Sequence, residues 1–385
     1  MADCTAVVLG GGIGGVVAAR ELRRLLPRRN RVVLVDRSDT HLFPPSLLWL
    51  MLGRRKPGQF SRPLARLERK GIEFIKGEVT AIDAARKAVS VDGREITADY
   101  VVISLGAEYA PQAVPGLAQA GHNLYTLDGA ARVRDMRRTL TEGRLAVLIT
   151  RTPFKCPAAP YEAAMLLEDD LRRRGVRDRV TLDVYTPETG PMPVTGPSVS
   201  AQVRAMLEGR GIGYHPQHAV AEVDPAGRTV RFQNGVQAGY DFLVYVPPHV
   251  APEAVKAAGI TGETGWVTVD RHTMETKFAN VFAVGDVTMI PLSVKLPLPK
   301  AGTFAVGQAE AVARTIARRA GGDTTGAERF TGFGECFLEA GGGRAALGRG
   351  DFYAEPAPAV RLRPPSRRWR LGKVWFEKWW FRRWL

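Results

Sequence analysis

The stretch from Thr5 to Leu22, TAVVLGGGIGGVVAAREL, leaves this chain few ways to fold. Four apolar residues, Ala6 to Leu9, suit one buried parallel strand. The run Gly10-Gly11-Gly12-Ile13-Gly14-Gly15 comes next, and then a helical pattern with Val16, Val17 and Leu22. Gly10, Gly12 and Gly15 stand at G-x-G-x-x-G spacing. The first glycine permits a tight turn, the second lets backbone approach a pyrophosphate, and the third lets the helix pack on the strand. The helix N-terminus then offers free N–H groups and a partial positive charge to phosphate. A lone motif of this kind is weak evidence. Here a second apolar strand, Arg31 to Val35, ends in Asp36, about twenty residues beyond the loop, where an acid binds a ribose hydroxyl.

The rest of the chain extends this unit. Prolines in His41-Leu42-Phe43-Pro44-Pro45-Ser46 predict a loop. Strands are expected at Gly71–Ile75, Glu78–Asp83, Lys87–Val91 and Tyr100–Ser104. Further on, Val281 to Val284 is an apolar strand closed by Gly285-Asp286, and a helix begins after Gly302. This order fits a flavoprotein with two dinucleotide-binding domains, in which Asp286 would bind the ribityl chain and the helix after Gly302 would point its N-terminus at the flavin. The expected fold class is α/β: two Rossmann-like domains of the disulfide-reductase-like flavoprotein kind, plus a C-terminal membrane-associating segment. The expected division is an FAD-binding domain at 1–110 and 265–330, a second Rossmann-like domain at 111–264, and a C-terminal region at 331–385.

Charge narrows the partners. The 385 residues carry a formal net charge of +15, which favours anionic surfaces or substrates. Three cysteines, Cys4, Cys156 and Cys336, are too few for a disulfide scaffold and lack zinc spacing. No signal peptide and no run of about eighteen apolar residues is present, so the expectation is a chain kept on the cytoplasmic side without a spanning helix.

The middle segment separates the functional classes. Arg144 to Thr150 reads as a strand, yet Arg151-Thr152-Pro153-Phe154-Lys155-Cys156-Pro157 comes after it in place of a glycine motif. Prolines and bulky side chains stand where a pyrophosphate needs bare backbone, so this half should not bind a nicotinamide cofactor. Cys156 is pinned between prolines, and adjacent Lys155 could favour its thiolate. The alternative is an inert buried thiol. Cys336 reads as a strand residue, and Cys4 as a passive N-terminal one. His215 and His218 read as surface residues.

At these positions the chain resembles the sulfide:quinone oxidoreductases and the flavoprotein subunit of flavocytochrome c sulfide dehydrogenase. The resemblance rests on Phe43-Pro44-Pro45-Ser46, on Lys155-Cys156-Pro157 with Glu162, and on Leu298-Pro299-Lys300-Ala301-Gly302. It extends to Cys336-Phe337 with Gly341 to Gly343, and to Gly372-Lys373-Val374 with Phe376-Glu377-Lys378. It implies that Cys156 and Cys336 cycle through a disulfide or polysulfide bridge beside non-covalent FAD, with Phe337 lining a quinone pocket. Hydrogen sulfide would be the electron donor and a membrane quinone, ubiquinone or menaquinone, the acceptor. Glu162 is the candidate proton relay, against a surface-helix glutamate. Lys300 would stabilise reduced flavin or the quinone oxygen, against a structural ion pair. Many relatives carry a third cysteine where this chain has Tyr125, and some carry a histidine where it has Gly129. The rival readings are a type-II NADH:quinone oxidoreductase, a sulfide dehydrogenase feeding a cytochrome, and a non-enzymatic membrane-docked flavin redox sensor.

Residues 366 to 385, SRRWRLGKVWFEKWWFRRWL, hold five of the chain's seven tryptophans and seven Lys or Arg against one acid, Glu377. As a helix they would group Trp375, Phe376, Trp379 and Trp380 on one face. Arg383 would lie near that face and have to snorkel. Tryptophan with arginine suits the headgroup boundary, so the tail is expected on a membrane surface, guiding quinone toward Phe337. Packing on the protein itself or on a second copy is the alternative. Nucleic acid is not expected as a partner.

Overall fold

The computed structural model describes residues 3–323 and 326–385. Along the chain, β1 (Thr5–Leu9), α1 (Ile13–Leu25), β2 (Arg31–Asp36), β3 (Glu73–Lys76) and β4 (Tyr100–Ile103) come first. Next are β5 (Gly143–Ile149), α2 (Ala159–Arg173), β6 (Val180–Tyr185), β7 (Gly213–His215) and β8 (Phe242–Val246). The last group is β9 (Val281–Ala283), α3 (Gly302–Ala320), β10 (Phe333–Gly341), β11 (Arg344–Asp351), β12 (Ala359–Ser366) and α4 (Arg367–Trp384).

Two five-stranded parallel sheets carry the molecule. The first has the order β9-β4-β1-β2-β3, and the second places a short strand, His122–Asn123, beside β8, β5, β6 and β7. Their central strands are buried on both faces, which is why β1 and β5 read as unbroken apolar runs. Helix α1 buries Val16, Val17, Ala18, Ala19 and Leu22 in the core under the first sheet. The meander at 79–97 has three antiparallel strands, one more than expected: Arg94–Thr97 pairs with Ala88–Val91. A third, antiparallel sheet joins β10, β11 and β12, and its last strand leads into α4.

The tail is a helix, as expected, but its faces divide differently. Lys373, Glu377, Trp380, Phe381 and Trp384 are buried, at i, i+4, i+7, i+8 and i+11. Phe43 packs against Phe376 at 5.8 Å and Trp380 at 5.6 Å. The expected shared face of Trp375, Phe376, Trp379 and Trp380 is thus split: Trp380 belongs to the protein core, while Leu371 (68% exposed) and Trp375 (64%) face outward. Arg383 lies over the Trp384 ring, 5.0 Å from its centre, and reaches Glu21 on α1 at 3.4 Å. Helical periodicity told which residues share a side but not which side the protein would cover.

Candidate active site

One cavity of about 830 Å³ takes in residues from the first sheet and its loops, the loop and helix that follow β5, the third sheet and α4. Gly10, Gly12, Asp36, Asp286, Lys300, Cys156, Glu162, Cys336, Phe337 and Lys373 all line it.

The nucleotide end is built for a flavin dinucleotide. Gly10 has φ +103°, and a Cβ there would sit 2.3 Å from the Ser104 carbonyl oxygen. A Cβ on Gly15 would lie 1.7 Å from the Gly10 carbonyl oxygen. Both glycines are required by the turn itself. Gly12 differs: a Cβ there meets no atom within 4 Å, so its bareness leaves room in the cavity. Asp36 Oδ2 accepts the Gly11 N–H at 2.5 Å. The N-termini of α1 and α3 carry no side-chain cap, and Gly12 and Gly302 at those ends line the cavity. Their free N–H groups and dipoles suit an anionic, polar cofactor. The donor set, the open cradle and the cavity's size fit FAD.

Cys156, from the loop after β5, and Cys336, from β10, come to the same cavity, both as free thiols. Cys156 sits in the left-handed region at φ +48°. That conformation is unfavourable for a side-chain-bearing residue, and the surroundings hold it there. Its N–H donates to the Lys300 carbonyl at 2.6 Å, while its own carbonyl accepts the Ala159 N–H at 2.9 Å and the Tyr125 hydroxyl at 3.3 Å. Tyr125 thus props the Cys156 loop. Cys336 is on β10, and its exposure is to the cavity it lines. Cys4 lies outside the cavity, and so do His215 and His218; His215 bonds Asp183 at 2.9 Å and stacks on Tyr185.

Glu162 is 2% exposed, which removes the surface-helix reading. Its Oε1 accepts the Lys373 Nζ–H and the Glu339 backbone N–H, each at 2.8 Å. Lys373 was legible only as part of a C-terminal motif, with no role attached; α4 inserts it beside the thiols. Burial opposes its ammonium, but Glu162 and Glu339 outweigh burial and hold its pKa above the usual lysine range. Burial likewise pushes the Cys336 thiol up to about 12 and the Cys156 thiol well above its ordinary value. Glu162 adds to that rise at both sulfurs, and Lys373 opposes it at both. Lys373 thus acts on both thiols. Lys155, expected in that role, is attracted to Cys156 and to Asp286, and holds its Nζ over Tyr109 at 4.7 Å and near Tyr125 at 5.9 Å.

Lys300 is held by backbone: its Nζ donates to the carbonyls of Asp286 at 2.6 Å and Thr288 at 2.8 Å and lies 3.5 Å from the Trp266 ring centre. Burial lowers its pKa to about 7, against the pull of Asp286. The expected alternative, a structural ion pair, is replaced by carbonyl contacts.

In the second sheet, the acid after β6 is Glu188. It is buried and accepts hydrogen bonds from the hydroxyls of Tyr161, on the first turn of α2, and Thr186. Burial pushes Glu188 up to about 7.

A parallel-sheet nucleotide fold, a glycine cradle fitted to FAD and two cysteines in one cavity define a class of redox flavoprotein. The sequence profile of the pyridine nucleotide-disulphide oxidoreductases matches residues 5–309, and the chain belongs to that family. It is 31% identical to the sulfide-quinone reductase of Aquifex aeolicus over 80% of this chain and 75% of that protein. It is 25% identical to the mitochondrial sulfide:quinone oxidoreductase of Mus musculus over 92% of this chain and 81% of that protein. The crystal structure of the sulfide:quinone oxidoreductase from Aquifex aeolicus superposes with a TM-score of 0.88, covering 98% of this chain and 90% of that one at 27% identity. Within its family, the chain belongs to the sulfide:quinone oxidoreductases.

Proposed function

We propose that this FAD-dependent sulfide:quinone oxidoreductase takes sulfide at a Cys156–Cys336 bridge and passes the electrons to a membrane quinone. The observation that supports it most is the meeting of both cysteines with the Glu162–Lys373 pair in the cavity that carries the glycine cradle.

In the oxidised enzyme the two sulfurs are joined. Hydrosulfide attacks one of them; a new S–S bond forms to that sulfur, the bridge breaks, and a persulfide and a thiolate remain. A thiolate here is costly, because burial and Glu162 raise both thiols against the pull of Lys373. Thiolate and persulfide close into a longer, three-sulfur bridge only as two electrons leave to an acceptor and one proton to a base, and the cost of the buried thiolate favours that closure. FAD, which Gly10, Gly12, Asp36 and Asp286 would hold, would supply the two-electron acceptor between the sulfurs and the quinone. Glu162 is placed to take the proton, with Lys373 balancing its charge. A second sulfide then removes the sulfane sulfur or lengthens the chain. Lys300, with a pKa near 7, carries charge or gives it up without large cost at neutral pH and so can answer a change of charge in the cavity.

The aromatic part of the cavity is the quinone's place in this reading. Phe337 and Phe376 lie 6.4 Å apart there, with Pro44, Pro45 and Trp379 beside them. No described helix is long and apolar enough to cross a membrane. The outward face of α4, with Leu371 and Trp375 between Arg368, Lys378 and Arg382, is suited to peripheral docking at the headgroup level, from which a lipid-soluble quinone can enter.

Replacing Cys156 or Cys336 with Ser tests the relay. Anaerobic sulfide should bleach the flavin of either variant at least about a thousandfold more slowly than wild type. Bleaching at the wild-type rate in either one would remove the bridge from the mechanism.

A further inference from the structure

His41 and Trp380 are 339 positions apart in sequence, and each is 1% exposed. The Trp380 Nε1–H donates to His41 Nε2 at 3.0 Å. An indole nitrogen can only donate, so His41 Nε2 must accept, and the neutral ring carries its proton on Nδ1. That nitrogen lies 2.8 Å from the carbonyl oxygen of Gly11, to which it donates. The Gly11 N–H is already held by Asp36. Both polar groups of the residue between Gly10 and Gly12 are thus fixed, one by the ribose-side acid and the other through an imidazole held by the C-terminal helix.

The surroundings keep this chain of bonds intact. The His41 and Trp380 rings stack at 5.9 Å with 19° between planes, and Phe43 and Phe381 close round them. A Cβ on Gly11 would sit 2.5 Å from the Leu64 side chain, so the loop has little room to move that way. Breaking either hydrogen bond leaves a buried polar atom without a partner, which costs more than the bond itself contributes.

We propose that Trp380, acting through His41, is a positioning group for the phosphate-binding loop: seating of the C-terminal helix holds the Gly10–Gly12 turn in the shape that accepts FAD. Linkage makes the effect mutual, so bound FAD keeps the helix seated. The proposal rests on FAD occupying the glycine cradle and is independent of the cysteine relay.

The readout is the rate at which FAD leaves the holoenzyme, followed by the rise in free-flavin fluorescence after dilution. Trp380→Phe keeps a ring in the core but loses the donor; His41→Phe loses both bonds. Each should release FAD about tenfold faster. The double variant should be no faster than the faster single one, because one chain of bonds is cut in both cases. His41→Gln, whose amide can accept from Trp380 and donate to Gly11, should restore slow release. Wild-type release rates in Trp380→Phe, or additive effects in the double variant, would overturn the proposal. Should the Phe variants fail to fold, hydrogen exchange in wild-type holoenzyme decides. Excess FAD should slow exchange of the amides of residues 376–384, and exchange independent of FAD concentration would overturn it.

Discussion

The two nucleotide-type halves of this molecule share a skeleton and differ in the loop that leaves the first strand of each. After β1, bare backbone from Gly10 to Gly12 turns directly into α1, and a Cβ at Gly12 would meet only open space. After β5, the chain runs from Thr150 to Ala158 before α2 begins, and Cys156 occupies the loop with its N–H bound to Lys300. The acids after the second strands diverge likewise. Asp36 lines the cavity and accepts a loop N–H. Glu188 lies outside it, buried under the hydroxyls of Tyr161 and Thr186. A parallel βαβ unit therefore does not by itself bind a dinucleotide. Bare loop backbone and a free acid are what the first half offers one; the second half has a bulky loop carrying a sulfur and a buried acid in their places.

The sharpest challenge to that contrast is a nicotinamide donor. NADH should bleach the flavin at least about a thousandfold more slowly than sulfide, because the second half lacks the groups that would hold it. Comparable bleaching by the two donors would erase the distinction and revive the NADH:quinone reading.

Gly12→Leu should next separate the cradle from the fold. A Cβ there meets no protein atom within 4 Å, so the FAD-free protein should melt near the wild-type temperature while FAD affinity falls by roughly a hundredfold or more. Titration with FAD and thermal melts check both parts, and normal affinity would show that the open space is not the cofactor's.

Lys373→Met should cost about 3 kcal/mol in denaturant unfolding, since it leaves the Glu162 carboxylate buried and uncompensated. It should also slow sulfide-driven bleaching, because a cation that pulls down both thiols is gone. Glu162→Gln combined with Lys373→Met should recover part of the stability and none of the rate. Recovery of the rate would remove the pair from the chemistry.

The smallest effects are in pH dependence, and the halves should have opposite signs. Glu188 titrates near 7 folded against an ordinary 4.5, so its contribution is full below about 4.5 and is lost as pH rises through 7. Burial lowers His41 to about 4 from 6.5, so its contribution is present above about 6.5 and is lost as pH falls through 4. Unfolding free energies measured across this range should lose the first slope in Glu188→Gln and the second in His41→Gln. Unchanged slopes would mean that other groups set the profile.

The cradle was readable from the chain because its chemistry is local. Gly10, Gly12, Gly15 and Asp36 are constrained by neighbours a turn or a strand away, and the same holds for Gly285-Asp286 before α3. The missing glycine motif after β5 was equally plain. The three-stranded meander and the two faces of α4 were less so, because periodicity reports a side and not its partner. Lys155 was readable as a cation near the thiol through adjacency, whereas Lys373, which acts on both sulfurs, is brought there by a helix more than two hundred positions further on.

Short-range order in the amino acids was thus enough to determine two Rossmann-like units, a flavin loop and the absence of a second nucleotide loop, since backbone conformation and hydrophobic period act over a few residues. Only the folded molecule decided that Lys373 stands against Glu162, that Tyr161 covers Glu188, and that Trp380 reaches Gly11 through His41. Each of those pairings joins distant segments whose burial is settled by packing of whole elements, and an unpaired charge or donor becomes costly only once that packing has excluded water.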